Sequence, residues 1–358
     1  MNVDRAMRLM FLTGSRGEWG YIRPLIRLCA EQESIDYRLC ATNMHLLPNF
    51  GLTVNELIQD QITVHHKLYT ALDGYTHATM AKSLGLLVSS FVDVIVSDRP
   101  DWIVLAGDRW EQMAGAIVGA FCYVPIAHIQ AGEVSGNIDG MTRHAIGKYS
   151  HLHLAANVDA CDRLRKLGEE EFRVHNVGAP QLDELRNGEY SEMADASQRL
   201  GINLNDEFIL VVQHPVTDSA QHSLEEIRQT LSALNHFEQN KIVILPNNDA
   251  GSSLIKEGIE EFRSGNYFVF ASLSRADYLC LLNHAVCIIG NSSSGLLEAP
   301  SFQTPAINLG DRQRGRVRAS NVIDQKYISE EIVKTLNYVL SDLKFRDEVK
   351  KCINPYGD

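Results

Sequence analysis

Two strand-to-helix turns in the first half of the chain carry acids, bases and amides close together. In AGDRWEQ, Asp108 and Arg109 follow an apolar run. In AHIQAGEVSGNIDGMTRHAIGK, residues 127–148, the groups are Gln130, Glu133, Asp139, Arg143 and His144. Carboxylates, an imidazole and arginines at neighbouring strand ends suit general acid–base chemistry. Asp108 and Asp139 are each equally well placed to N-cap the helix that follows, on the reading that the second of these helices starts at Met141.

A different set lies in the second half. GNSSSG, residues 290–295, separates an apolar run from a helical pattern, so Ser292, Ser293 and the local N–H groups suit a diphosphate. A serine N-cap would explain one hydroxyl but not three between glycines. Glu298 is either a ribose ligand or an ordinary first-turn helix acid. PNNDAGS offers Asn247 and Asp249 for sugar hydroxyls, though the same residues form turns. His214 in QHPVTD sits at another strand end, as a ligand or as a capping side chain. Of Arg312, Arg314, Arg316 and Arg318 in GDRQRGRVR, one or two would neutralise phosphate and the others face solvent. Arg16 lies in the Gly-rich turn GSRGEWG, whose glycine spacing is not that of a dinucleotide fingerprint.

These turns must be positioned by an alternation of strands and helices. Near-continuous apolar strands (WIVLAG, FILVVQ, CIIG) alternate with helical periodicities, such as Met80, Leu84, Leu87, Phe91 and Ile95. That pattern predicts doubly wound parallel sheets with helices on both faces. The alternation lapses over residues 177–201 and then restarts, which predicts a second domain. Ligands of open α/β sheets bind outside the strand carboxyl ends. If the two domains face each other, the ligand lies in the cleft between them.

The chain's 358 residues also favour two domains. A formal net charge of −12 argues against a nucleic-acid partner. The seven cysteines are scattered without CxxC spacing and read as reduced core residues of a cytosolic protein. No signal-peptide pattern is visible, and no apolar run is expected to span a bilayer, so the reading is cytoplasmic with no membrane partner. His65–His66 and His151–His153 lack partners at ligand spacing, and no metal is expected.

Nine blocks in order carry a resemblance: GSRGEWGYIRPL, AGDRWEQ, AHIQAGEVSGNIDGMTRHAI, HLHLAAN, VGAPQLDEL, QHPVTD, LPNNDAGS, IGNSSSGLLE and PAINLGDRQRGR. The chain resembles the hydrolysing UDP-N-acetylglucosamine 2-epimerases nearly end to end. The resemblance implies a GT-B-like α/β architecture of two Rossmann-like parallel-sheet domains facing across a cleft. The expected bounds are 1–170 for the sugar-side domain and 171–342 for the UDP domain, with the terminal helix, 343–358, packing back on the first. It implies no cofactor, a UDP-sugar substrate, and a homodimer or homotetramer.

By the same resemblance Ser292 and Ser293 match diphosphate ligands, Glu298 a ribose ligand and Arg312 a phosphate-side arginine. Arg16 and His214 match positions near the phosphates. Asp108, Asp139 and the position of Gln130 match the catalytic carboxylates. The implied chemistry is anti elimination of UDP to a 2-acetamido glycal, followed by hydration to a free 2-epimerised sugar. Here the chain departs from its relatives: HIQAGE has Gln130 where an acid is common, and an amide is no general base. Either Asp108, Asp139 or Glu133 then serves as base, or Gln130 only holds the sugar. The block also looks like the subgroup acting on UDP-2,4-diacetamido-2,4,6-trideoxyglucose, whose C6 methyl would need an apolar wall. Trp19 is the candidate for it. The rival readings are a GT-B glycosyltransferase and a non-catalytic nucleotide-sugar sensor.

Overall fold

The computed structural model describes residues 5–263 and 265–357. The chain divides into two compact units, one ending at Asp183 and the other spanning Glu184–Tyr356. The first runs β1 (Met7–Thr13), α1 (Arg16–Ala30), β2 (Ile35–Thr42), α2 (Val54–Gln59), β3 (His66–Leu68), α3 (His77–Asp98), β4 (Trp102–Ala106) and α4 (Trp110–Phe121). It continues β5 (Ile126–Ala131), α5 (Ile138–Tyr149), β6 (Leu152–Ala155), α6 (Val158–Lys166) and β7 (Val174–Asn176). Its sheet is parallel, in the order β3-β2-β1-β4-β5-β6-β7.

After α7 (Leu182–Arg186) and α8 (Met193–Leu200), the second unit runs β8 (Phe208–Val212), α9 (Ser223–Leu234), β9 (Asn240–Ile244), α10 (Ser252–Glu261), β10 (Tyr267–Phe270) and α11 (Arg275–His284). Then come β11 (Cys287–Gly290), α12 (Ser294–Leu297), β12 (Ala306–Leu309), β13 (Val322–Gln325), α13 (Ser329–Ser341) and α14 (Leu343–Val349). This sheet is also parallel, ordered β10-β9-β8-β11-β12-β13.

The continuous apolar strands have a packing cause. Successive side chains point to opposite faces, and here both faces are covered. Met10, Leu12, Ile103 and Leu105 fall in one core cluster, and Phe11, Val104 and Ala106 in another. In the second unit Ile209 and Val211 separate from Phe208, Leu210 and Val212 in the same way. Both sheets reverse strand order at their centre, between β1 and β4 and between β8 and β11. A crevice opens at such a switch point, outside the strand carboxyl ends. The Gly14–Arg16 and Asp108 turns lie at the first of these, and the His214 and 290–295 turns at the second.

Several expectations are corrected. The first domain extends past residue 170, because β7 pairs with β6 and completes the first sheet. The terminal helix α14, expected on the first domain, buries Phe345 and Val349 in the second unit's own core. Helix α5 begins at Ile138 rather than Met141. Helix α3 has the foreseen length of 22 residues, but its 18-residue window of mean hydropathy 1.6 is enough by length and composition to cross a membrane, where no such run was expected. In this fold its Leu87, Phe91, Val94 and Ile95 are buried against the first sheet.

Candidate active site

In the first unit one guanidinium ties three elements together. Arg143 of α5 is 1% exposed. Its Nη1 donates to the Gln130 carbonyl at 2.6 Å, and its Nη2 donates to Asp108 Oδ2. The same Asp108 oxygen accepts from Ser135 Oγ at 3.1 Å. The ends of β4 and β5 and the helix α5 are thus locked around a single carboxylate. Asp108 is therefore no helix cap: Arg109 occupies the N-cap position of α4, and no side chain caps there.

Gln130 has a left-handed backbone, φ +61°, at a register shift in β5. Such a conformation costs a non-glycine residue about 1 kcal/mol, and the Arg143 bond to its carbonyl helps hold it. The Gln130 side chain is buried and donates to Gln181 Oε1 at 3.4 Å. Next along β5, His128 is fully buried, with Nε2 2.7 Å from the Gly107 carbonyl, which fixes the turn preceding Asp108. Burial pushes its pKa down to about 3, so the ring is neutral and Nε2 carries the proton that the carbonyl accepts.

Asp139 does not cap its helix either. Asn137 is the N-cap: its Oδ1 accepts the Asp139 N–H, and its Nδ2 donates to Asp139 Oδ2 at 3.0 Å. This leaves Asp139 half-buried in the first turn of α5. Glu133 is buried and accepts from Asn157 Nδ2 at 2.5 Å, and Asn157 in turn caps α6. His144 is half-buried beside Arg143, and burial, then Arg143, Arg163 and Lys148, lower its pKa.

Beneath the first switch point lies a buried acidic cluster that sequence reasoning missed. Glu111 accepts from Arg109 Nε at 3.2 Å and from Asn43 Nδ2. Glu18 accepts the Gly14 and Ser15 N–H groups at 2.5 and 3.0 Å and completes a capping box with Ser15 at the start of α1. Burial first, and then the Glu111 charge, push the Glu18 carboxyl up to about 8. Gly14 is required here, because an added Cβ would lie 2.6 Å from Glu111 Cγ. The S-x-x-E spacing of Ser15 and Glu18 was the available signal; Asn43, with a left-handed φ of +47°, gave none. Arg16, the first residue of α1, is half-buried.

Trp19 cannot line a substrate wall: it is 1% exposed and packs with Phe11, Ile22 and Leu39 in the core. Tyr21 instead stands beside the Asp108 turn, its Cε2 3.2 Å from where a Cβ on Gly107 would lie.

The second unit organises its turns around Asn291, which is fully buried and was not among the expected site residues. Its Oδ1 accepts the His214 N–H at 2.7 Å, and its Nδ2 donates to the His214 carbonyl at 2.8 Å and to Tyr327 Oη at 3.1 Å. Its own carbonyl accepts from Arg312 Nη1 at 3.1 Å and Gln313 Nε2 at 2.8 Å. The His214, 290–295 and Arg312 segments are therefore brought together. His214 Nδ1 accepts the Asn247 N–H at 3.2 Å, which leaves the ring proton on Nε2. Ser292 and Ser293 are half-buried on the turn, and Ser292 Oγ accepts the Ser294 N–H at 3.3 Å. Gly290 has a φ of +135°, and a Cβ there would lie 2.1 Å from the Val212 carbonyl oxygen, so only glycine lets β11 pass β8.

Asp249 is buried on the turn before α10. Glu298 is buried and pairs with Arg275 at 2.7 Å. Among the other arginines, Arg314 is exposed as expected, but Arg316 is buried and Arg318 pairs with Asp324 at 2.9 Å. Within the histidine pairs, His66 meets Asp98 at 2.7 Å and His153 meets Glu169 at 3.0 Å. Among the described residues no group of three or more His, Cys, Asp or Glu is arranged to hold a metal ion.

The chain is similar to known proteins in sequence and in fold. A "UDP-N,N'-diacetylbacillosamine 2-epimerase (hydrolyzing)" of Legionella pneumophila is 34% identical over 98% of this chain and 92% of its own. A "UDP-N-acetylglucosamine 2-epimerase" of Neisseria meningitidis is 31% identical over 94% of this chain and 89% of its own. The solved structure of a Neisseria meningitidis UDP-GlcNAc 2-epimerase bound to UDP-GlcNAc superposes with a TM-score of 0.83 at 19% identity, covering 98% of this chain and 96% of that one. The two parallel-sheet units are thus Rossmann-like domains of the GT-B kind. The family model described as UDP-N-acetylglucosamine 2-epimerase matches residues 27–358, and with these likenesses it makes the chain a member of the UDP-N-acetylglucosamine 2-epimerase family.

Proposed function

We propose that the protein is a hydrolysing UDP-sugar 2-epimerase whose substrate is UDP-2,4-diacetamido-2,4,6-trideoxyglucose, the UDP-N,N'-diacetylbacillosamine named for its Legionella relative. A carboxylate takes the C2 proton while the C1–O bond breaks and UDP leaves with the bonding pair, giving a 2-acetamido glycal. Water then adds its hydroxyl to C1, and a proton returns to C2 on the opposite face. The products are UDP and the free mannose-type sugar, a precursor of the legionaminic-acid kind.

The observation that carries this reading is the Arg143 lock on Asp108 at the sheet's switch point. A preorganised carboxylate there costs no reorganisation during reaction. Asp108 and Asp139 act as the acid–base pair, with His144 on the same helix as Asp139. Gln130, which cannot be a base, and the Asn157-bound Glu133 shape the sugar's surroundings. Tyr21, not Trp19, supplies the wall for the C6 methyl. Ser292, Ser293, His214 and Arg312 take the diphosphate, Glu298 the ribose, and Asn247 and Asp249 the remaining hydroxyls. Arg16 and Arg109 meet the leaving group's charge.

A second reading is the same reaction on UDP-N-acetylglucosamine, favoured by the name of the Neisseria relative. Turnover of both sugars in D₂O separates the two. Release of UDP with one deuterium at C2 of the free sugar is expected, faster with the diacetamido sugar. UDP release without C2 deuterium would overturn the 2-epimerase reading, and faster turnover of UDP-N-acetylglucosamine the choice of substrate.

A further inference from the structure

Glu298 does not stand alone. Arg275, the first residue of α11, lies between two carboxylates: its Nε donates to Glu184 Oε2 at 2.8 Å, and its Nη2 is 2.7 Å from Glu298 Oε1. All three side chains are nearly out of solvent, at 11%, 1% and 9% exposure for Arg275, Glu184 and Glu298. Burial works against the guanidinium's charge, but Glu298 and Glu184 outweigh it and hold its pKa above the ordinary value.

The end of α11 that carries Arg275 is itself fixed. Ser274 caps it by accepting the Asp277 N–H at 3.1 Å, and the Asp277 carboxylate accepts from Ser191 at 2.7 Å and Arg199 at 2.6 Å. One helical step along the same face (i, i+3), Tyr278 Oη donates to Ser294 Oγ at 2.5 Å. Helix α11 therefore grips both ends of α12: its first residue, Ser294, and the residue after its last, Glu298.

We propose that Arg275 is a positioning residue that aims the Glu298 carboxylate at the nucleotide's ribose and so sets the preference for a ribonucleoside diphosphate. With Oε1 turned to Arg275, Oε2 is the oxygen presented to a ribose hydroxyl. Without the guanidinium, two buried carboxylates would be left facing its vacated place, and Glu298 would turn away or take up a proton. This inference rests on the assignment of Glu298 to the ribose.

The test is calorimetric titration of the full chain with UDP and with 2′-deoxyuridine diphosphate. The native protein is expected to prefer UDP by about tenfold, the worth of one charge-assisted hydrogen bond. Glu298→Gln should lose most of that preference; if it keeps it, the ribose assignment itself fails. Arg275→Gln should also lose it, weakening UDP about tenfold while 2′-deoxyuridine diphosphate binds as before. If Arg275→Gln retains the preference while Glu298→Gln loses it, the positioning role is wrong. Equal weakening of both ligands by Arg275→Gln would likewise reduce Arg275 to a structural part. Should Arg275→Gln fail to fold, Arg275→Lys decides: its single-point ammonium cannot serve both carboxylates in the fork geometry, so a native-sized preference in this variant overturns the proposal.

Discussion

Asn291 does more for the second site than any residue proposed to touch the ligand. Both ends of its side chain and its backbone carbonyl are occupied, by His214, Tyr327, Arg312 and Gln313. Asn291→Ala would strand several buried donors and acceptors, so destabilisation of about 2–4 kcal/mol is expected in urea unfolding, with weaker UDP binding. A stable variant with native UDP affinity would show the hub to be dispensable. Glu18 and His128 make opposite pH predictions. Folded Glu18 keeps its proton up to about 8, whereas an unfolded one loses it near 4.5. Its contribution is fully present below that value, and stability falls as pH rises from there to about 8. Folded His128 refuses a proton until about 3, whereas an unfolded one accepts it near 6.5. That contribution is lost as pH falls from 6.5 toward 3. Glu18→Gln keeps an acceptor for the Gly14 and Ser15 N–H groups, so it should flatten the alkaline decline specifically. Urea midpoints at about pH 5 and about pH 8 that fall as steeply as in the native chain would remove this account.

At the scale of elements, the Arg143 bridge holds α5 to the ends of β4 and β5. Arg143→Ala leaves Asp108 without its buried counter-charge, and a loss of about 3–5 kcal/mol is expected by denaturant unfolding. Arg143→Lys retains a charge but not the two-way geometry. It should lower kcat by far more than it weakens UDP binding, and a variant with native kcat would count against the bridge as a catalytic device. The strands were legible because both faces of each sheet are covered, which writes continuous apolar runs such as FILVV into the sequence. The turns at their ends were legible as polar clusters. What those clusters do was less so. Asp108 and Asp139 looked like caps, because a cap is the commonest use of an acid before a helix. Only the fold shows Arg143 reaching Asp108 from 35 residues away, and Asn137 taking the cap that Asp139 seemed to offer. Trp19 and Tyr21 lie two residues apart on α1, and helical phase sends the first into the core and the second to the Gly107 turn. Gln130's left-handed backbone has no sequence signature, since it is imposed by the bulge and the Arg143 bond.

At the scale of the whole chain, each unit has its own buried core and its own switch point, so the two sets of chemistry are separable by substitution. Of the residues proposed for UDP, Ser292, Ser293, His214, Arg312 and Glu298 belong to the second unit, where Asn291 and Arg275 hold them, while Arg16 and Arg109 belong to the first. The carboxylates proposed for the C2 proton all belong to the first. Changing Asp108 or Asp139 to Asn removes a charge with almost no change in volume, and neither residue contributes to the second unit's hydrogen-bond hub. Each variant should therefore lose turnover by at least about a hundredfold, the usual worth of a general acid or base. UDP affinity should stay within about threefold of native, since a change of that size is under 1 kcal/mol. Asp108→Asn will also weaken the Arg143 lock, so its thermal midpoint should drop below the native value. Calorimetry with UDP and a coupled assay of UDP release measure the two quantities independently. If either substitution removed UDP binding together with turnover, the assignment of sugar chemistry to one unit and nucleotide binding to the other would be wrong.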